Sequence, residues 1–167
     1  TSNMAHFIDT KSFEIFDNVL VGTRPRFAEF TADGSQLWVT SEVGGTVSVI
    51  DAKTRTIIKT IGFEIPGIRS ESVQPVGVRV LKEGSRAFVA LGPANHVAVI
   101  DAKKLEVEQY LLVGQRVWQL ALTPDEKLLF TTNGNSNDVS VIDVPNLKVV
   151  KSMPVGMAPW GVTISEK

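Results

Sequence analysis

The chain has 167 residues, with 17 Lys and Arg against 18 Asp and Glu, 43% hydrophobic and 21% charged residues, and no Cys. This is a globular composition whose near-zero charge, without clustered Lys or Arg, gives no electrostatic reason to expect nucleic acid or an anionic membrane as partner. The missing Cys excludes disulfides, thiolate nucleophiles, Fe–S clusters and Cys-type zinc sites; His6 and His96 alone cannot build a multi-histidine copper or haem centre, and no apolar run can cross a ~30 Å hydrocarbon core.

Two strands are predicted first, His6 to Asp9 and Glu14 to Leu20, and the Asp that ends the first begins a recurring pattern. HFIDTKSFEI around Asp9 returns as VSVIDAKTRTI at Asp51, VAVIDAKKLEV at Asp101 and VSVIDVPNLKV at Asp143, at spacings of 42, 50 and 42. Pro25, Pro75, Val117 and Pro159 step by 50, 42 and 42, and Trp38, Phe88 and Phe130 by 50 and 42. The odd value is therefore one insertion of eight residues between Ile61 and Gln74. Within a repeat, FAEF at Phe27 leads through Ala32-Asp33-Gly34-Ser35 into LWVTS at Leu37. TVSVID then alternates from Thr46 to Asp51, and TIIKTI closes the unit at Ile61. Each run is short, β-branched or aromatic, and bounded by turn residues. The recurring Asp can accept the backbone N–H two residues on, an Asx-turn that starts a hairpin. No segment keeps a 3.6-residue apolar period for three turns, so helix is not expected.

Four antiparallel strands per ~42 residues is the blade unit of a β-propeller. The expected fold is all-β: residues 1–21 supply the last two strands of one blade, 22–61, 74–112 and 113–154 are blades, 62–73 is an insertion loop, and 155–167 is the first strand of a further blade. That is about half of a ring. Open blade edges invite aggregation, so the expected partners are the remainder of the same propeller or a second copy that closes the ring. The N-terminal TSNMAHFIDT has neither a basic nor an apolar stretch of signal-peptide type, so any export signal is expected upstream.

LWVTSEVGGTVSVID, AFVALGPANHVAVID and LFTTNGNSNDVSVID resemble the YVTN-type β-propeller repeat of bacterial and archaeal surface-layer and periplasmic proteins; Phe130 to Asn133 is the nearest copy. VGTRPRFAEFTADG, FEIPGIR, QPVGVR and VGQRVWQLA more narrowly resemble propellers associated with pyrroloquinoline quinone (PQQ)-dependent alcohol catabolism. That resemblance implies a seven-bladed, exported protein, periplasmic or extracellular, accompanying a periplasmic dehydrogenase as its protein partner. It carries no catalytic residues over to this chain.

In a propeller, loops entering the first strand of each blade sit beside the central channel. Arg24, Arg26, Arg116, Trp118 and Trp160 flank the Pro column there and are the ligand-binding candidates. Arg24 and Arg116 stand at equivalent positions two blades apart and could converge on one carboxylate, with the indoles as flat walls. The plainer alternative is that the arginines are solvated or locally paired and the aromatics pack. In the insertion, Phe63, Ile65, Ile68 and Arg69 are partner-binding candidates; equally, the apolar three could cover the neighbouring blade. Glu29 and Arg79 are positioned to pair across successive inner strands. Asn133 to Val139 has the oxygen content of a calcium loop without its acidic spacing, and His96 has no second ligand nearby. No catalytic, metal or cofactor constellation is expected. The expected function is a non-catalytic binding or assembly module of the bacterial periplasm or cell envelope. The alternatives are a quinoprotein-like or other propeller oxidoreductase and a surface-layer or adhesion protein.

Overall fold

A computed structural model describes residues 2–165. β1 (Met4–Ile8) and β2 (Ile15–Leu20) form a two-stranded antiparallel sheet. Three four-stranded antiparallel sheets follow in simple sequence order. Blade 1 holds β3 (Pro25–Phe30), β4 (Gln36–Ser41), β5 (Thr46–Asp51) and β6 (Thr56–Gly62). Blade 2 holds β7 (Val78–Val80), β8 (Arg86–Ala90), β9 (His96–Asp101) and β10 (Glu106–Leu112). Blade 3 holds β11 (Val117–Leu122), β12 (Leu128–Asn133), β13 (Asp138–Asp143) and β14 (Lys148–Pro154). The all-β propeller expected from the repeat is the fold observed, at about half a ring.

The middle strands of blades 1 and 2 are apolar on both faces because each of these two blades is covered on both sides. Leu37 and Val39 of β4 face the β1–β2 sheet, packing with Val19 and Val21, while Trp38 between them enters the cluster shared with blade 2. In β8, Ala87 and Val89 join that same cluster, whereas Phe88 and Ala90 face blade 3 with Leu120, Leu129 and Ile142. The two-residue period of a strand thus deals alternate side chains to alternate neighbours. Trp38 and Phe88 are fully buried; Phe130, in the same column, is half-buried.

The recurring aspartates act as expected, with an extension. Asp51 Oδ1 accepts the N–H of Lys53 at 2.9 Å and of Thr54 at 2.7 Å, and Asp9 and Asp101 repeat both bonds. At Asp143 the residue two on is Pro145, which has no N–H. Only the Asn146 N–H donates there, at 2.9 Å, and the Asn146 amide adds a bond to Oδ2 at 3.0 Å.

Every outer strand carries a one-residue bulge at the same place. Phe16, Ile58, Glu108 and Val150 are each skipped in the pairing register. Such bulges twist a free edge away from further pairing.

The strand expected over Trp160 to Ile164 is not formed: residues 155–165 hold no strand, and 166 and 167 lie outside the described residues. A strand needs a ladder partner, and among the described residues no second strand lies beside this segment. It is nevertheless tied where an inner strand belongs. Thr132 Oγ1 donates to the Trp160 carbonyl at 2.9 Å, repeating the bond from Thr40 Oγ1 to the Val76 carbonyl at 2.6 Å.

Candidate functional site

The loops entering the inner strands and the turns between the second and third strands of each blade gather on one face, the mouth. Their shape comes from a left-handed residue, Arg24 (φ 60°), Arg116 (φ 55°) or Ala158 (φ 51°). A left-handed, non-glycine backbone is costly unless held. Here each is held by the side chain of an Asn 21 residues earlier. Asn3 Oδ1 accepts the Arg24 N–H at 3.2 Å, Asn95 the Arg116 N–H at 2.8 Å, and Asn137 the Ala158 N–H at 2.8 Å. These Asn residues are a further repeat column, itself left-handed, whose remaining member is Gly45 (φ 65°).

On this frame four of the five candidate residues meet, around an acid that the sequence had not singled out. The Glu42 carboxylate, only 4% exposed, lies 3.2 Å from Arg24 Nε and 3.3 Å from Arg26 Nε. Its Oε2 is buried without a hydrogen bond of good geometry. Arg26 and Arg116 both approach the Trp118 ring, with guanidinium carbons 5.9 Å and 4.5 Å from its centroid. Arg24 and Arg116 therefore do not converge directly: Arg24 pairs with Glu42, and Arg26 provides the bridge to Trp118. Trp160 stands apart, exposed, and among the described residues no arginine stacks on it.

Glu42 has glycine at its repeat positions, Gly92 and Gly134, and that substitution builds the asymmetry. A Cβ on Gly134 would stand 2.6 Å from Trp118 Nε1, so only glycine lets the indole lie across that loop. Three guanidinium groups against one carboxylate leave the mouth cationic, beside a flat aromatic surface. That combination suits a carboxylate or another planar anion. Two other buried polar atoms without hydrogen-bond partners, Ser41 Oγ and Gln119 Oε1, adjoin Glu42 and Trp118 in sequence.

Below the mouth, Arg79 Nη1 donates to Glu29 Oε2 at 2.8 Å, the Val80 N–H donates to Glu29 Oε1 at 3.0 Å, and Arg79 stacks on Phe27. Burial pushes the Glu29 carboxyl above its ordinary value, and the Val80 N–H and Arg79 pull it back. This pair joins the inner strands of blades 1 and 2.

The insertion divides its four candidates. Phe63 and Ile65 are buried in the cluster between blades 1 and 2, while Ile68 and Arg69 are exposed. The Asn133 to Val139 polar groups are consumed in turn chemistry: Asn133 bonds Ser140 and Thr131, Ser136 Oγ accepts the Gln115 N–H, and Asn137 holds Ala158. His96 Nδ1 donates to the Ala94 carbonyl at 2.6 Å.

Among curated proteins none matches this sequence. Of solved structures, the hydrazine synthase of Kuenenia stuttgartiensis is similar with a TM-score of 0.78 and 25% identity, over 90% of this chain and 42% of that one. The chain thus spans less than half the length of that relative. From residue 11 to residue 151 the sequence matches the family described as Lactonase, 7-bladed beta-propeller, and the chain belongs to that family.

Proposed function

We propose that the chain is part of a rigid binding and assembly module of the bacterial periplasm or cell envelope, non-catalytic, which accompanies PQQ-dependent alcohol oxidation. The mouth would receive a carboxylate-bearing ligand or partner segment. The observation that carries this reading is the Arg24–Glu42–Arg26 cluster leading to Trp118 and Arg116, a cationic and aromatic surface found at one place on a repetitive scaffold. The narrower motifs FEIPGIR, QPVGVR and VGQRVWQLA support the association with PQQ.

The test is affinity purification of the tagged full-length protein from periplasmic extract, with quinoprotein alcohol dehydrogenase activity measured in the eluate. Recovery of that activity, lost in Arg26→Gln/Arg116→Gln, supports the proposal; equal recovery from both proteins, or none from either, counts against it.

A second reading is lactone hydrolysis, favoured by the family match over residues 11–151. Its product would be a hydroxy acid, whose carboxylate fits the same arginines. Turnover of a lactone by the full-length protein, abolished in Arg116→Gln, would favour hydrolysis over the non-catalytic reading.

A further inference from the structure

We propose that the insertion builds a second interaction surface, a groove between the outer strands of blades 1 and 2 that docks an extended basic peptide segment of a protein partner. This deepens the reading of the chain as a binding module, at a place separate from the mouth.

The groove is a cleft of about 900 Å³ that runs from the mouth-face loop Val43–Gly45 to the hairpin at Leu105 on the opposite face. It exists because the link from β6 to β7 departs from the repeat. Between blades 2 and 3, Asn95 holds a short link, accepting the Val113 N–H at its carbonyl (2.9 Å) and the Arg116 N–H at its side chain. Its counterpart Gly45 has no side chain to offer, and the Val73 carbonyl lies 3.4 Å from where a Cβ would stand. The inserted loop instead sends Phe63, Ile65 and Val73 into the core and is pinned at its root by the Glu64 N–H donating to Tyr110 Oη at 3.0 Å.

What remains outside sets the partner's chemistry. The floor is apolar and aromatic, made by Ile61, Phe63, Val107 and Tyr110. The rim carries Glu64, Glu71 and Glu106 against one cation, Lys59, and all four are exposed. An occupant with alternating apolar and basic side chains satisfies both features. Its extended form follows from the walls: Lys59–Gly62 of β6 and Glu106, Val107 and Tyr110 of β10 flank the groove as strands, which advance ~3.3 Å per residue. The bulge at Ile58 interrupts the β6 edge, so recognition rests on side chains more than on an added ladder.

The experiment is fluorescence anisotropy of a labelled peptide of about six residues alternating Lys and Val, titrated with the full-length protein, beside the same peptide with Glu for Lys. The expected result is saturable binding of the basic peptide only, weakened by salt. Glu71→Lys/Glu106→Lys should reduce it at least about tenfold, with circular dichroism unchanged because both side chains are exposed. Arg116→Gln should leave it unaltered, which separates failure of the groove from failure of the mouth. Absence of binding, equal binding of the acidic peptide, insensitivity to the double charge reversal, or occupation of the groove by a second copy in light scattering would each overturn the proposal.

Discussion

The junction between blades 1 and 2 and the junction between blades 2 and 3 are built from the same repeat, yet they solve the link between blades differently. At the second junction, one Asn side chain fixes a short left-handed loop and places Arg116 at the mouth. At the first, glycine stands in place of that Asn, the loop runs through a 3₁₀ turn at Ser70–Ser72, and packing of Phe63 and Ile65 replaces the lost tether. A repeat therefore acts as its own control. Where a column breaks, as at Gly45 or Glu42, the scaffold is released from a structural duty and a surface feature appears.

The largest effects should come from the aromatic cores of the two junctions. Trp38→Ala and Phe88→Ala should each cost about 3–5 kcal/mol in urea unfolding, since each leaves a cavity in a close-packed cluster. Phe130→Ala, in the same column but half-buried, should cost clearly less. Equal costs at all three positions would break the claim that the outer face of blade 3 lacks a covering blade in this chain.

The tether comes next. Asn95→Ala removes the acceptor of the Arg116 N–H and leaves a left-handed alanine, for a loss of roughly 1–2 kcal/mol. Gly45→Ala at the first junction lacks any such bond to lose and should cost only the strain of its positive φ, below that of Asn95→Ala. A reversed order in thermal unfolding would contradict the tether.

Acid should loosen the hairpin turns of blades 1 and 2 alike. Hydrogen bonds hold the turn aspartates below their ordinary values: the Thr54 backbone N–H for Asp51, that of Lys104 for Asp101, and the Thr31 hydroxyl for Asp33, which is lowered to about 2. A lowered folded value means that the unfolded chain takes up protons first, so the contribution is complete above pH ~4 and is lost as pH falls towards about 2. Circular dichroism against pH should show this loss; constant stability across that range would refute it. The smallest effect is expected from Arg24→Gln, whose guanidinium is half exposed and should contribute under about 1 kcal/mol.

The blades, the Asp turns and the Glu29–Arg79 pair were legible in the sequence because each rests on a periodic or adjacent signal. Arg24 and Arg116 were legible as loop residues and Arg26, which falls in β3, as their neighbour, but their arrangement was not. Glu42 occurs in one blade only, so no column announces it, and its role depends on the side chains of Arg24 and Arg26 folding back upon it. The Asn3, Asn95 and Asn137 column was present at the right spacing, concealed because Asn is common in turns for other reasons. The strand expected at Trp160 failed for a physical reason: sequence records the propensity of a strand, whereas its existence needs a neighbour.

The central claim is that the mouth gathers its arginines to receive a carboxylate. Its most direct test is titration of the full-length protein with succinate, followed by tryptophan fluorescence, beside Arg26→Gln and Arg116→Gln. The expected result is a saturable change from Trp118 that weakens at least about tenfold in either variant. An identical response in all three proteins, or none in the parent, would contradict it.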